Sequence, residues 1–327
     1  MKAYVYFDSG TTNTRGYLIC DGTVKGSIKK NVGTINNVLE NDPKVLEREV
    51  YKMYQELLKQ NDILDDQISD IYMSGMATSC NGIFETDYMN VPVSVKKYAQ
   101  DITYHDNETF QRKIGYLTGL AVRPVPEGVL SNIEQFNNVR GEEIELFGII
   151  RSYQTIYKDK IVATIMPGSH THILFSQNDQ IIDILSCIGG EFFAAIAEHT
   201  IIKASVTSNP EVIKEDALKC GFEALRKYGV NRAIYMIREL ELFSNVKTEE
   251  KDSFLEGVIN GDIIKALLLH PLYSRLDSIC VAGKAVYYDI FSKLLQLEKS
   301  TVKVEKIEPP KNQSFALAGF LTISEQL

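Results

Sequence analysis

The 327-residue sequence contains no tryptophan and only 5 histidines and 5 cysteines. The cysteines are scattered, and none forms a C-x-x-C pair, which predicts a reducing, cytoplasmic setting without disulfides or a zinc site. An early charge at Asp8 argues against a signal peptide. No apolar run approaches the ~18 residues of a membrane helix, so we expect no membrane partner. A G-x-S-x-G elbow is also missing, which argues against a serine hydrolase.

Positive charge is scarce as well. The chain has 35 Lys and Arg against 43 Asp and Glu, a formal net charge of −8 and a pI near 5.3. Nucleic-acid binding typically needs a basic stripe, so we expect no nucleic-acid partner. A protein of this charge that binds phosphates must gather backbone amides, its few cations and Mg²⁺ at one place. The length predicts two domains, which we divide as 1–150 and 151–327.

The stretch from Phe7 to Gly16 is the most informative part of the sequence. It joins two predicted strands by a turn rich in glycine and hydroxyl groups, which is typical of a phosphate cradle. Asp8, at the end of the first strand, is a candidate ligand for a hydrated Mg²⁺ ion, because Mg²⁺ keeps several waters and takes few carboxylates. The alternative is an ordinary hairpin turn without a ligand.

The same pattern returns at 161–186, where the turn Gly168–Thr171 separates two further strands. Two such hairpins predict two like α/β domains that face each other across a cleft, each offering a turn to one polyphosphate. Along the whole chain, the sequence predicts strands at 3–8, 14–20, 23–32, 68–74, 161–166, 173–176, 181–186, 276–282 and 301–306. It predicts helices at about 43–61, 140–150, 190–199, 210–228, 231–243, 248–269, 284–295 and 312–326.

Two further segments are candidates for ligand contact. Gly75–Gly82 follows a strand and has glycines at both ends, which favours a loop at the ligand-binding edge of an α/β sheet. Arg140-Gly141-Glu142-Glu143 opens a helix. Acidic residues in a first turn are also ordinary helix-dipole chemistry, which accounts for one of the two glutamates without a catalytic role.

Taken in order, these stretches resemble the 2-dehydro-3-deoxygalactonokinase family, sugar-acid kinases in the superfamily of actin, hexokinase and the chaperone ATPases. The resemblance covers nearly the whole chain. The stretches that carry it are 8–15, 74–82, 139–148, 166–171 and 190–191, with weaker matches at 254–257 and 281–283. It implies an α/β fold of two ribonuclease H-like (actin/hexokinase-type) domains, and ATP-dependent phosphorylation of 2-dehydro-3-deoxy-D-galactonate to its 6-phosphate with Mg²⁺.

The resemblance also implies roles for individual residues. We expect the catalytic residues to be Glu142, Asp8 and His170. We expect the nucleotide contacts to be Gly10, Thr11, Thr12, Asn13, Gly168, Ser169, Thr171 and Gly283. We expect the sugar-acid contacts to be Arg15, Met76, Thr78, Ser79, Asn81 and Arg140, because an arginine suits a carboxylate. Asp8 is the expected metal ligand. Glu143 is an alternative to Glu142 as the general base, and His170 is either a base or a phosphate ligand.

Two positions depart from the family pattern: Ile83 stands where a tryptophan is expected, and His172 stands where a lysine is expected. An alternative function is therefore a kinase of the same fold with another sugar or sugar acid. A non-catalytic nucleotide-binding regulator is a third hypothesis. The sequence leaves a homodimer open.

Overall fold

The structure, a computed structural model, describes residues 3–123, 129–208, 210, 212–311 and 313–327. It separates into two compact units. The first unit contains the chain up to Thr155 together with Asp179–Ile184 and Pro309–Leu327, and the second contains Ile156–Asn178 and Leu185–Glu308. The division into domains 1–150 and 151–327, with a role for each, stays a prediction.

The elements before residue 156 alternate short strands with helices. The strands are β1 (Ala3–Ser9), β2 (Thr14–Cys20), β3 (Thr23–Lys30), β4 (Ile68–Gly75), β5 (Tyr88–Asn90), β6 (Val93–Ser94), β7 (Thr103–Asn107), β8 (Arg112–Tyr116), β9 (Gly119–Val122) and β10 (Asn137–Val139). The helices are α1 (Thr34–Leu39), α2 (Val45–Gln60), α3 (Val95–Gln100) and α4 (Glu142–Ser152), followed by the short α5 (Gln154–Tyr157).

The remaining elements are mostly helical. The strands are β11 (Ile161–Pro167), β12 (Thr171–Gln177), β13 (Gln180–Cys187), β14 (Ser278–Ala282) and β15 (Lys303–Ile307). The helices are α6 (Gly190–His199), α7 (Glu215–Tyr228), α8 (Val230–Phe243), α9 (Thr248–Leu269), α10 (Ala285–Leu297) and α11 (Phe315–Ser324). These bounds confirm the predicted elements to within a few residues, except that the helix predicted at about 210–228 begins only at Glu215. Among the described helices, none is both long and apolar enough to cross a membrane.

Each unit is built on a sheet with the same strand order. In the first unit, β1 pairs antiparallel with β2 and parallel with β4, and the order is β3-β2-β1-β4-β8-β7. In the second, β11 pairs antiparallel with β12 and parallel with β14, which pairs parallel with β15. This repeated hairpin with parallel neighbours confirms the predicted ribonuclease H-like α/β fold.

The central strands of the first unit are apolar because helices cover them. Val5 and Phe7 of β1 are fully buried, and they pack in a core with Leu46, Val50 and Met53 of α2. Buried polar atoms at the strand ends are therefore costly unless they are hydrogen-bonded, which concentrates the polar chemistry in the turns.

The final helix α11 packs closely on α4 inside the first unit. A Cβ atom at Gly319 would lie 1.7 Å from Ile144 O, and one at Gly148 would lie 2.5 Å from Gly319 N. Glycine at both positions therefore permits the close packing of the two helices. Because α4 begins at Glu142, the contact fixes the helix that carries the candidate base.

Two local predictions were incomplete. The helix α2 begins at Val45 rather than at Pro43, although the Asp42 side chain accepts a hydrogen bond from Lys44 N just before the helix. The short helix α1 and the strands β5 to β10 were not predicted, since most of them are too short to show a periodic pattern.

Candidate active site

The turn between β1 and β2 exposes backbone N–H groups. Gly10 N donates to Asn13 O over 2.8 Å and closes the turn. Within the part of the chain that the structure describes, the N–H groups of Thr11 and Thr12 have no acceptor. Successive exposed N–H groups in a turn form a concave site for an anion. The predicted contacts Gly10–Asn13 therefore lie where a phosphate group would fit.

Asp8 lies at the end of β1, beside this turn. Its Oδ2 atom is 3.4 Å from Arg15 Nη1 on the paired strand β2. Burial raises the pKa of Asp8, the positive charge of Arg15 opposes this shift, and the negative charge of Glu142 adds to it. A cation beside Asp8 would stabilise the ionised carboxylate against burial and the nearby negative charge. Among the described residues, no three His, Cys, Asp or Glu side chains form a group that could hold a metal ion. A single carboxylate is a donor set that suits a hydrated Mg²⁺, which keeps several of its waters.

The two glutamates that open α4 have different environments. Gly141, with φ of 118°, turns the chain into the helix. Glu143 is only 1% exposed; it accepts hydrogen bonds from Gly141 N over 2.8 Å and from the Tyr98 hydroxyl over 3.1 Å. Burial, with a smaller effect of Glu142, raises the pKa of Glu143 to about 7. Glu142 is half-buried, and its carboxylate accepts a hydrogen bond from Arg140 N over 3.3 Å.

Glu145, one turn further along α4, was not predicted to belong to the site. Burial raises its pKa to about 8, and the charges of Asp8 and Glu142 add to the shift. This environment therefore favours the protonated form of Glu145 more than water does. The spacing of three residues from Glu142 places both on one helix face, which was the available sequence signal.

Arg140 organises the loop after β4. Its Nη1 atom donates to Thr78 O over 2.7 Å, to Thr78 Oγ1 over 2.8 Å and to Thr86 Oγ1 over 2.7 Å. Its Nη2 atom donates to Thr86 O over 2.9 Å, and its guanidinium lies 4.2 Å from the centre of the Tyr88 ring. These contacts hold two points of the loop together. A role for Arg140 as a carboxylate ligand stays a prediction.

The remaining predicted contacts of the loop are partly engaged inside it. Gly75, with φ of 66°, leads into a single 3₁₀ turn at Met76–Thr78. Ser79 Oγ donates to Met76 O over 2.8 Å, whereas Asn81 is exposed. Ile83, at the position where the resemblance implies a tryptophan, packs against the hydrophobic core of the first unit.

The turn between β11 and β12 repeats the exposed amides of the first turn. The N–H groups of Gly168, Ser169 and His170 have no acceptor among the described residues. The carbonyls behave differently: Gly168 O accepts from Gly190 N over 3.1 Å, and Ser169 O accepts from Glu191 N over 2.7 Å. The start of α6 therefore holds the carbonyl groups of the turn, and the N–H groups of the turn stay available to a ligand.

The two histidines near this turn have separate partners. His170 Nε2 lies 2.9 Å from Glu191 Oε2, and both side chains are more than half exposed. His172 is nearly buried in β12, and its Nδ1 atom lies 3.0 Å from Ser186 Oγ. The pairing of His170 with Glu191 was not predicted, although the sequence had singled out both stretches.

A cavity of about 420 Å³ lies beside the second turn, wholly within the second unit. It is lined by the turn at 168–171, the start of α6, the segment with Ser208 and Pro210, helix α9, and the residues that open α10. Ligand pockets for small molecules typically have this volume. Gly283, with φ of 105°, ends the strand β14 just before Lys284, which lines the cavity.

The sequence had not predicted Glu256 and Asn260 as part of this cavity, although both line it. Their signal was available: they are polar residues four apart in an otherwise apolar stretch of a predicted helix, where one face must meet something polar.

Comparison with solved structures identifies proteins of similar fold. The chain has a TM-score of 0.77 and 19% identity to a structure described as a candidate 2-dehydro-3-deoxygalactonokinase from Sinorhizobium meliloti, covering 99% of this chain and 97% of that one. It also has a TM-score of 0.51 and 11% identity to the (R)-2-hydroxyglutaryl-CoA dehydratase component A of Acidaminococcus fermentans, covering 100% and 99% of the two chains. Both likenesses concern the fold.

The family follows from a sequence comparison. The family model described as 2-keto-3-deoxy-galactonokinase matches residues 8–322, so the chain belongs to this family of carbohydrate kinases. A curated relative, the 2-dehydro-3-deoxygalactonokinase of Escherichia coli strain K12, is 23% identical over 286 residues, which cover 86% of each chain. The family predicted from the sequence is confirmed.

Proposed function

We propose that this protein transfers the γ-phosphate of ATP to 2-dehydro-3-deoxy-D-galactonate, forming ADP and the 6-phosphate of the sugar acid. The observation that carries the proposal is the turn Gly168–His170, whose N–H groups have no acceptor among the described residues and whose Gly168 and Ser169 line a cavity of about 420 Å³. Free amides suit phosphate oxygens and the cavity suits a nucleoside. Family membership supports the choice of the sugar acid.

In the proposed reaction, the acceptor hydroxyl oxygen forms a bond to the γ-phosphorus, and the bond from this phosphorus to the bridging oxygen of ADP breaks. The hydroxyl proton passes to Glu142, which is half-buried, whereas Glu143 is buried and already accepts two hydrogen bonds. Mg²⁺, when bound, neutralises charge on the phosphates. Asp8 holds the waters of that ion, and the amides of Thr11 and Thr12 donate to phosphate oxygens.

Within this proposal, the loop Met76–Asn81 and Arg15 bind the sugar acid, and His170 is a phosphate ligand. Arg140 fixes the loop through Thr78 and Thr86. A specific observation also favours a second candidate, a kinase for another sugar or sugar acid. Ile83, at the position where the resemblance implies a tryptophan, packs instead against the core of the first unit.

The test is a measurement of ADP formation with a panel of acceptors in the presence of Mg²⁺. The panel contains 2-dehydro-3-deoxy-D-galactonate, its gluconate epimer, related sugar acids and neutral sugars, and ³¹P NMR identifies the phosphorylated position. Highest kcat/KM for 2-dehydro-3-deoxy-D-galactonate supports the proposal. Preference for another acceptor supports the second candidate. Tight ATP binding without turnover of any acceptor overturns both and favours a regulator.

A further inference from the structure

Two buried polar side chains of α9 have no part in the chemistry described above. Glu256 is 7% exposed and Asn260 is 4% exposed, and both line the cavity of the second unit. They lie one helical turn apart, so their side chains occupy neighbouring positions on the same helix face. Asn260 Nδ2 donates to Glu256 Oε2, which fixes the two side chains relative to one another.

Close packing of α9 on α7 orients this face. A Cβ atom at Gly257 would lie 2.1 Å from Leu218 O, and one at Gly261 would lie 2.4 Å from a ring carbon of Phe222. Only glycine permits so close an approach of the two helices. Since Gly257 and Gly261 face α7, the residues directly before them are turned about 100° away, toward the cavity.

Burial makes this pair expensive to keep. Burial raises the pKa of Glu256 to about 7; the hydrogen bond from Asn260 opposes the shift and the charge of Asp252 adds to it. A buried carboxyl group destabilises a fold unless it is well paired. Yet among the described residues, neither Glu256 Oε1 nor Asn260 Oδ1 has a hydrogen-bond partner. The cavity therefore has a wall with two acceptor atoms available to a ligand.

The adjoining rim is fixed by the same helix. The Asp252 carboxylate accepts hydrogen bonds from Thr207 N over 2.7 Å and from Thr207 Oγ1 over 2.8 Å. Ser253 Oγ accepts one from Lys214 N over 2.9 Å. The segment that carries Ser208 to the cavity is thus held beside the pair by hydrogen bonds from the same helix.

The two ends of the cavity call for different chemical groups. The turn Gly168–His170 offers donors, which suit phosphate, whereas the wall of Glu256 and Asn260 offers acceptors and repels phosphate. Two adjacent acceptors suit a vicinal diol, and carboxylates commonly bind ribose hydroxyls in nucleotide sites. We propose that Glu256 and Asn260 bind the 2′- and 3′-hydroxyls of the phosphoryl donor, and so select a ribonucleotide over its deoxy forms. This inference rests on the proposed use of ATP.

The test measures binding of ADP, 2′-deoxy-ADP and 3′-deoxy-ADP by titration calorimetry. The unmodified protein is expected to bind ADP ~10-fold or more tightly than either deoxy form, the loss typical of one hydrogen bond to a charged group. Glu256→Gln and Asn260→Ala should each reduce this preference to about twofold or less. The control is Asp262→Asn, an exposed carboxylate on the same helix, which should leave the preference unchanged.

Thermal unfolding shows whether each variant is folded. If Glu256→Gln does not fold, Asn260→Ala alone still decides the test. Equal affinity of the unmodified protein for all three ligands overturns the inference. So does a preference that survives both substitutions, or a loss of discrimination between ADP and GDP instead of between ribose and deoxyribose. Because the titration uses no sugar acid, a failure to phosphorylate 2-dehydro-3-deoxy-D-galactonate would overturn the proposed function separately.

Discussion

The turn after β1 and the turn after β11 share a backbone arrangement but carry different side chains. In each, a turn carbonyl accepts a hydrogen bond from the start of a helix: Thr11 O from Ile35 N, and Ser169 O from Glu191 N. In each, the N–H groups of the turn point outward. The shared part is therefore a turn with available N–H groups, which is suited to an anion and occurs once in each unit.

A glycine makes this arrangement possible at both places. A Cβ atom at Gly33 would lie 2.3 Å from Thr11 O, and one at Gly190 would lie 2.5 Å from Gly168 O. The side chains around the cradles then differ. The first has Asp8 and the acidic start of α4 nearby, and the second borders a cavity. The comparison teaches that the two turns share a backbone arrangement and differ in the groups around them. We propose that the backbone provides anion binding, and that the neighbouring groups decide whether a cradle serves catalysis or nucleotide binding.

The largest expected difference between the cradles comes from Asp8. Asp8→Asn should lower kcat by ~10⁴-fold or more, because it removes the carboxylate that positions Mg²⁺ against the developing charge. Steady-state kinetics at saturating Mg²⁺ measures this effect. The matched variant in the second cradle is Glu191→Gln, for which we expect a small change. Equal losses in both would break the comparison, and unchanged kcat would remove Asp8 from the mechanism.

The next effect concerns Glu142. Glu142→Gln should lower kcat by ~10²–10⁴-fold, the usual contribution of a general base, while the KM of the sugar acid changes little. If Glu142 only stabilises the start of α4, the variant should instead lose about 0.3–1 kcal/mol of stability with an unchanged rate. Kinetics and chemical denaturation of the same preparation separate these outcomes.

Glu143→Gln is the matched control for that variant. In the unmodified protein, Gly141 N and the Tyr98 hydroxyl both donate to the Glu143 carboxylate. The glutamine side chain has only one acceptor oxygen, so its NH₂ group would face one of these two donors. We expect a loss of about 1–3 kcal/mol in the free energy of unfolding and a kcat within a few fold of the original. A large loss of kcat in a folded Glu143→Gln variant would assign the base to Glu143.

A variant of Arg140 tests whether this residue binds the sugar acid directly or only fixes the loop that binds it. Arg140→Lys should raise the KM for acceptors by ~10-fold, because lysine cannot bridge Thr78 and Thr86 as the guanidinium does. If Arg140 fixes the loop, neutral sugars and sugar acids should suffer alike. A loss confined to acids would show instead that Arg140 binds the carboxylate. Arg123→Lys, an exposed arginine near Tyr88, is the control.

The pH dependence of stability should also differ between the units. The pKa of Glu143 is raised to about 7 and that of Glu145 to about 8, from an ordinary 4.5. The folded protein therefore holds more protons than the unfolded chain above pH 4.5, so stability falls as pH rises toward 8. Denaturation midpoints measured from pH 5 to 8 should fall, and Glu143→Gln with Glu145→Gln should flatten the curve. In the second unit, Glu256→Gln should remove only the part of the pH-dependent loss of stability that is complete near pH 7.

The smallest expected effect belongs to the second cradle. His170 pairs with Glu191 at an exposed site, where an ion pair contributes at most about 1 kcal/mol. His170→Asn should therefore raise the KM for ATP by no more than about fivefold and leave the KM for the sugar acid unchanged. A loss of kcat above ~100-fold would give His170 a catalytic role and weaken the contrast between the cradles.

Several features of this protein were determined by the sequence alone. The repeated order of strand, glycine-rich turn and strand at 3–20 and 161–177 predicted two like sheets, because hairpin geometry is set by local turn residues. The long amphipathic helices and the family were also predictable, since periodicity and motif order are properties of the chain itself.

Only the tertiary structure decided which polar groups are available for chemistry. Glu142 and Glu143 are adjacent in sequence, yet Glu143 is buried against Tyr98 while Glu142 is half-buried. Glu256 and Asn260 became a cavity wall because the glycines beside them pack on α7, a contact between residues ~40 positions apart. Burial and pKa depend on such distant contacts, and no local pattern in the sequence determines them.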